Sequence, residues 1–152
     1  MIFMSTSKNI NILTDELRNN STATILFHQA IAAKLGINST DHKCLDVIMK
    51  NQPLTAGQLA ALTGLTTGAI TGVLDRLEKA GYIFREQDPE DKRRVNIYMN
   101  QENAEKNIVP LFSSFAAEMN QLLSNYDDKE LEFIIDFIRQ CNRVLMKFTE
   151  KH

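Results

Sequence analysis

Hydrophobic residues recur at helical spacing through most of this chain, and the segment Thr67–Lys79 shows the pattern most clearly. Its apolar positions are separated by intervals that keep to one side of a helix: Ile70, Val73, Leu74 and Leu77. Such spacing places side chains on one face of a helix, so we predict a single buried stripe. The opposite face then carries small and polar residues and lies exposed.

A shorter apolar helix is predicted immediately before this one. Thr55 and Gln58 have the spacing of a capping box, which marks a helix start. A tight turn centred on Gly64 follows, and Gly81 predicts the end of the second helix. Two helices joined by a glycine turn can place the second one in a DNA major groove.

Two short stretches rich in aromatic and β-branched residues, 82–85 and 95–98, predict a β-hairpin after the second helix. Its tip has the sequence DPEDKRR, in which turn-forming acids precede three bases. Because the bases follow the acids, the cations can project together, and an arginine from such a tip can enter a narrow minor groove. An ordinary solvated turn with weak local ion pairs is the alternative.

Two further helices are predicted on the N-terminal side. The first covers about residues 9–36 and ends at its glycine, and the polar run at residues 19–22 predicts a bend or a weak point within it. Ser39 or Thr40 is the expected cap of the next helix, which ends just before Pro53.

The C-terminal part of the chain predicts two more helices. Asn100 is suited to cap the first, and Pro110 to kink it or mark its first turn. Asp127 and Glu130 have the spacing of a cap at the start of the last helix, which carries a wide apolar seam. Such broad apolar faces exceed what one small winged unit covers, so we expect a second chain to cover them. A monomeric bundle is the alternative.

The segments TTGAITGVLDRLEKAGYI and DPEDKRR resemble the recognition helix and the wing signature of the MarR family of winged helix-turn-helix transcription regulators. Asp88, Asp91 and Arg93 fit the wing signature. Glu90 stands where many members have arginine, and Gly72 stands where many carry a larger or basic residue.

The resemblance implies a mainly α fold with a small β-hairpin wing. It implies a single domain over residues 1–152, with a winged helix region at about 39–99. Dimerisation helices are expected at about 9–36 and 100–150, because members of the family dimerise through their first and last helices. The expected assembly is a homodimer.

A two-fold dimer would present two recognition helices, about 34 Å apart, to a pseudo-palindromic duplex. The resemblance implies a transcription regulator that binds such double-stranded DNA, acting as a repressor that a small-molecule effector relieves. The candidate DNA-binding residues are Thr66, Thr67, Gly68, Thr71, Gly72, Arg76, Asp91, Lys92 and Arg93. For the first three of these, simple helix capping is the alternative.

The charge of the chain favours a different function. The formal net charge of -2 and the isoelectric point of about 5.9 count against a nucleic-acid binder, since neutralising phosphates needs cations. A local cationic patch can still outweigh the total charge. A winged-helix protein-interaction module that does not bind DNA is therefore the alternative function.

The resemblance also implies a cavity between the dimer helices and the winged unit, which often takes aromatic or amphipathic ligands in the family. The candidate lining residues of such an effector pocket are Phe27, His28, Ile31, Phe115 and Met119. Plain core packing is the alternative for these side chains.

Other chemistry is not indicated. The sequence has no phosphate-binding loop, no nucleophile elbow and no paired histidines at ligand spacing, so we expect no enzyme, metal site or cofactor. We expect His42 at the start of its helix as a surface or capping neighbour, and Cys44 and Cys141 as buried structural thiols. No secretory signal or membrane-length apolar run is present, so we expect a cytoplasmic protein without membrane contact.

Overall fold

The computed structural model describes residues 7–150, and the terminus expected to fray or dock at residues 1–8 lies almost entirely outside that range. The described residues are mainly helical with one β-hairpin, as predicted. They divide into two compact units, the first ending at Val109 and the second beginning at Pro110. The elements in chain order are α1 Lys8–Leu35, α2 Ser39–Asn51, α3 Ala56–Thr63, α4 Thr67–Lys79, β1 Ile83–Gln87, β2 Val95–Met99, α5 Gln101–Asn103, a π-helical turn Ala104–Ile108, α6 Val109–Leu123 and α7 Asp128–Glu150.

The first helix ends where the sequence predicts, at Gly36, whose φ of 72° is left-handed. Of the bend or weak point predicted at residues 19–22, the bend is wrong, because α1 is one unbroken helix, and the weak point stays a prediction. Poor propensity costs only tenths of a kcal/mol per residue, and a helix already nucleated on both sides absorbs that cost.

The cap predicted for α2 at Ser39 or Thr40 is also wrong. Asn38 caps this helix, with its side-chain Oδ1 accepting from the Asp41 backbone N–H at 2.8 Å. The Asp41 carboxylate accepts in return from the Asn38 N–H at 3.4 Å. Asparagine prevails because Asp41 lies three residues after it and completes a reciprocal capping box.

Local signals set the helix-turn-helix as predicted. Thr55 and Gln58 form the expected reciprocal capping box at the start of α3. Gly64 takes a left-handed φ of 74° and donates its N–H to the Ala60 carbonyl at 2.8 Å, which ends α3. The Thr66 hydroxyl then accepts from the Ala69 N–H at 3.1 Å and starts α4.

The core of the first unit lies between α2, α3, α4 and the hairpin. All four apolar positions predicted for the α4 stripe are buried. The largest fully buried apolar side chains come from every one of these elements: Leu45, Ile48, Leu59, Ile70, Val73, Leu77 and Ile97. The Tyr82 hydroxyl adds a link to α1 by donating to the Leu35 carbonyl at 2.7 Å.

The hairpin strands are antiparallel, with Ile83 opposite Met99 and Gln87 opposite Val95. Both strands run slightly further than predicted from composition. Leu54, just before α3, extends the pairing by accepting from the Ile97 N–H at 2.8 Å, so the hairpin is tied to the helix-turn-helix.

Pro110 lies in the first turn of α6, one of the two places predicted for it. The π-helical turn comes directly before, where Val109 donates to the Ala104 carbonyl five residues back. Asn100 caps α5 as predicted. Asp127 and Glu130 form the expected reciprocal bonds at the start of α7.

The helices of the second unit expose their apolar residues in a single chain. Neither α6 nor α7 has a buried residue among those described. Phe133 is 77% exposed and Leu145 is 65% exposed. Within α1, exposed aliphatic residues also recur, including Ile10, Leu13, Leu17, Ile25 and Leu26.

Replacing Gly64 with alanine should lower the free energy of unfolding by about 1 kcal/mol, because a side chain disfavours a left-handed φ. Gly57 in α3 is the matched control, since an added Cβ there would meet only the Thr55 hydroxyl, at 3.9 Å. Gly57→Ala should leave stability unchanged or raise it, by up to about 1 kcal/mol. Urea denaturation at one protein concentration measures both, and equal losses would contradict the left-handed turn as the cause.

Candidate nucleic-acid interface

The N-terminal half of α4 presents a small, polar and exposed surface. Thr66, Thr67, Gly68 and Thr71 are all exposed. The Thr71 hydroxyl donates to the Thr67 carbonyl at 3.0 Å within the helix. Nothing lies within 4 Å of a Cβ built on Gly68, so another molecule can approach this backbone closely. Thr66 is also the N-cap, so the capping interpretation holds for that residue.

Arg76 is bound to a residue that the sequence pattern did not single out. Its Nε lies 3.0 and 3.2 Å from the two carboxylate oxygens of Asp41, and its Nη2 donates to Oδ1 at 2.9 Å. Asp41 is 1% exposed, whereas the Arg76 side chain is 52% exposed. The hydrogen bond to Asp41 raises the pKa of Arg76 above its usual value. A buried carboxylate needs such a partner, so the pair ties α4 to α2.

Gly72 lies beside this pair and is half-buried. A Cβ built on Gly72 would lie 3.2 Å from Nη1 of Arg76, closer than side chains normally pack. The missing side chain therefore leaves room for the guanidinium group, a reason for glycine that the sequence pattern does not reveal.

Arg85 of β1 neutralises the acidic residues of α4. Its Nε donates to the Glu78 carboxylate at 2.7 Å, and its Nη2 donates to Asp75 at 2.9 Å. These contacts clamp β1 to α4. They also reduce the repulsion that a DNA phosphate would meet near these two acids.

Asp88 organises the wing. Its carboxylate accepts from the Glu90 N–H at 2.9 Å and from the Asn96 side-chain amide at 3.3 Å. Arg94 lies 3.9 Å from the same carboxylate and donates to Asn96 at 3.0 Å. Of the three wing bases, Arg94 is therefore held just before β2 by its contacts with Asp88 and Asn96.

Arg93 is the wing base that projects furthest, with 93% of its side chain exposed. Asp91 accepts from the Arg93 backbone N–H at 3.1 Å and from its Nε at 3.2 Å, so the bond to Asp91 does not use the terminal nitrogens of the guanidinium. Lys92 beside it is also exposed. The wing thus presents two exposed bases, Lys92 and Arg93, and Asp91 orients the second of them.

Comparisons with known proteins agree with this geometry. The MarR family model matches residues 37–95. The chain is 40% identical to the uncharacterised HTH-type transcriptional regulator YcgE of Bacillus subtilis (strain 168), over 88% of this chain and 86% of that protein. The chain belongs to the MarR family of transcription regulators.

Two further relatives of this MarR-family chain show the range of similarity. The HTH-type transcriptional repressor YetL of Bacillus subtilis (strain 168) is 26% identical over 66% of this chain and 60% of YetL. Streptococcus pneumoniae FabT, solved in complex with DNA, has the same fold with a TM-score of 0.71 at 19% identity, covering 91% of this chain and 99% of FabT. Membership places the chain among transcription regulators rather than enzymes.

The residues predicted for an effector pocket in this MarR-family chain lie in two separate units. Phe27 and His28 are half-buried on α1, and Ile31 is buried. Phe115 and Met119 belong to α6 in the second unit, where Phe115 is 45% exposed.

Of the two positions predicted for His42, the one at the surface is wrong, since only 7% of the residue is exposed, but it does follow the capping residue Asp41. It lies on the side of α2 that faces α1, where its ring centroid is 5.2 Å from that of His28. Burial, and next the charge of His28, lower the pKa of His42. Two rings at this distance form one contact between α1 and α2.

Cys44 is fully buried, as predicted, and burial raises the pKa of its thiol. Cys141 is only half-buried within one chain, because α7 has too few neighbours in its own unit to cover it. Over residues 7–150, no group of three or more histidine, cysteine, aspartate or glutamate side chains is arranged to hold a metal ion. None of the helices described there is both long and apolar enough to cross a membrane.

Asp88 should titrate below the ordinary aspartate value of 3.8, because the Glu90 N–H and the Asn96 amide stabilise its charged form. A lowered pKa means that wing order is fully supported above the ordinary value and is lost as the pH falls through the lowered one. Carbon-detected NMR titration of the carboxyl group measures this. Asn96→Ala should move the pKa part of the way back, and an unshifted Asp88 in the native chain would contradict the network.

Proposed function

We propose that this chain binds pseudo-palindromic double-stranded DNA as a homodimer and represses transcription by covering promoter DNA. The exposed, sparsely substituted N-terminal half of α4 carries the proposal, because it stands clear of the core while its opposite face is buried. A helix presented in this way, with a cationic wing alongside, suits one major groove and the adjacent minor groove.

The proposed contacts divide between the two grooves. The helix contributes Thr66, Thr67, Gly68, Thr71, Gly72 and Arg76 to the major groove and its phosphates. The wing contributes Lys92 and Arg93 to the minor groove, with Asp91 orienting Arg93. The threonines offer a hydroxyl and a methyl group, which can contact phosphate oxygens and the methyl group of thymine.

The homodimer follows from apolar surface that one chain leaves in contact with water. Phe133, Val144 and Leu145 on α7 are more than half exposed, as are Ile10 and Leu26 on α1. Large apolar side chains exposed in such number on one helix normally mark an interface. A two-fold pairing through the N- and C-terminal helices would bury it and set two α4 helices about 34 Å apart.

A small-molecule effector is the proposed means of relief. Phe27, His28 and Ile31 of α1, together with Phe115 and Met119 of α6, are the proposed lining. A ligand that prefers a dimer with a different spacing of its α4 helices would weaken DNA binding, because one spacing fits both half-sites. We further propose that residues 1–152 act as one functional domain in the cytoplasm, with no cofactor.

A protein-interaction module is the second candidate function, and the net charge of -2 favours it. The two functions differ in one measurement. Selection of bound duplexes from a random library at low salt should enrich a two-fold symmetric sequence if the chain is a DNA-binding repressor. Absence of any enriched sequence would support the interaction module instead.

Replacing Arg93 with alanine should weaken binding to the selected duplex and lower the salt slope, d log K/d log[salt], by about one unit in magnitude, because the complex loses one cation that displaces counterions from the DNA. The fold should be unaffected, since Arg93 contacts only Asp91 in the wing. Lys50→Ala, which removes an equal charge from the C-terminal end of α2, is the control. Equal effects of the two variants in fluorescence anisotropy would remove the wing from the mechanism.

Replacing Leu145 with glutamate should convert the dimer to a monomer, because a charge would enter a desolvated apolar surface. Sedimentation equilibrium should give two-chain mass for the native protein and one-chain mass for the variant. Loss of the second half-site should weaken operator binding at least about tenfold. Lys129→Glu, on the same helix, is the control, and a two-chain mass for Leu145→Glu would place the interface elsewhere.

A further inference from the structure

The starting point is the fixed position of the Asp41 carboxylate. Asp41 is buried at the start of α2 and is held there by the reciprocal capping box with Asn38. Three contacts of 2.9 to 3.2 Å join its two oxygens to Nε and Nη2 of Arg76. Because the carboxylate cannot move without breaking the cap of α2, it sets the orientation of the guanidinium.

The guanidinium group of Arg76 lies about one helical turn closer to the N-terminus of α4 than the backbone of Arg76 does. Its Nη1 is near the backbone of Gly72, one helical turn earlier. Helical side chains point towards the N-terminus, so the group reaches the half of α4 that would enter the groove. Nε and Nη2 are bonded to Asp41 and 52% of the side chain is exposed, so Nη1 is the nitrogen that remains to donate to another molecule.

We propose that Asp41 is a positioning residue for DNA recognition, which holds Arg76 so that its Nη1 edge donates to one acceptor on the DNA. This inference rests on the proposed function and deepens it. The acceptor is a guanine edge or a phosphate oxygen, since both accept from guanidinium groups. Gly72 is part of the same arrangement, because its missing side chain leaves the space that the Arg76 guanidinium occupies against α4.

Pairing with Asp41 changes what Arg76 contributes to binding. A free arginine attracts any phosphate and adds to non-specific affinity and to its salt dependence. An arginine already paired with a carboxylate adds little net charge but keeps directional donors. Asp41 thereby reduces the non-specific attraction of Arg76 for phosphates and fixes the orientation of its guanidinium. A fixed donor favours one register on the DNA over others.

The test uses the full-length protein, the duplex selected by the native chain, and a scrambled duplex of equal length. Asp41→Asn keeps the size of the side chain and an oxygen for the Asn38 N–H, but it removes the charge that holds Arg76. Affinity for the selected duplex should fall about tenfold. Affinity for the scrambled duplex should stay level or rise, and its salt slope should steepen by up to about one unit.

Gly72→Ala tests the same geometry without disturbing a buried charge. Alanine favours the helix, so the melting temperature of Gly72→Ala should stay the same or rise, as is also expected for Gly57→Ala. Specific binding should nevertheless fall, because the guanidinium must move away by a few tenths of an ångström. In an Arg76→Ala background both Asp41→Asn and Gly72→Ala should lose most of their effect on the ratio of specific to non-specific affinity.

Two results would overturn the proposal. If Asp41→Asn weakens both duplexes equally with an unchanged salt slope, Asp41 only stabilises the fold. If the effects of Gly72→Ala and Arg76→Ala simply add, the alanine methyl meets the DNA directly and Arg76 is not involved. Failure of the native chain to select any sequence is a separate result, which would remove the proposed function before any variant is measured.

Discussion

The burial of one face of α4 is the constraint on which the rest of the first unit depends. Ile70, Val73, Leu74 and Leu77 contribute their side chains to a core that also receives residues from α2, α3 and the hairpin. Each large apolar side chain buried in this way is worth about 1.5–3 kcal/mol relative to exposure. Rotating α4 about its axis would expose the whole stripe at once, so the polar face can only point outward.

Apolar packing fixes the rotation of α4, and two charged clamps fix its position more finely. Arg76 joins α4 to α2 through Asp41, and Arg85 joins β1 to Asp75 and Glu78. The second clamp is partly exposed, and ion pairs of that kind contribute little stability. The first contains a buried carboxylate that would be costly without its partner. The Arg76–Asp41 clamp therefore matters more for stability, and it lies on the side of α4 that we propose contacts DNA.

Features set by near neighbours could be predicted from the sequence, and features set by distant ones could not. The turn at Gly64, the Thr55–Gln58 capping box and the α4 stripe depend on residues within a few positions of each other. The equally local box of Asn38 and Asp41 is the exception, since the sequence offered Ser39 and Thr40 as competing caps. The burial of Asp41 and His42 depends instead on contacts with α4 and α1. Asp41 and Arg76 are 35 residues apart, and no periodicity links positions at that distance. The exposed face of α4 could thus be predicted from the sequence, whereas the partners that orient Arg76 could not.

Gly72 shows how the missing partners change the meaning of a residue. Taken alone, a glycine on the exposed face of α4 indicates a bare surface that DNA can approach closely. With Arg76 in place, the space above that glycine is occupied by a guanidinium whose other edge is held by α2. The exposed surface of α4 is therefore bare at Gly68, where nothing lies nearby, and occupied by an oriented donor at Gly72. Two glycines four residues apart thus have different physical roles, and the effects of substituting them have to be interpreted separately.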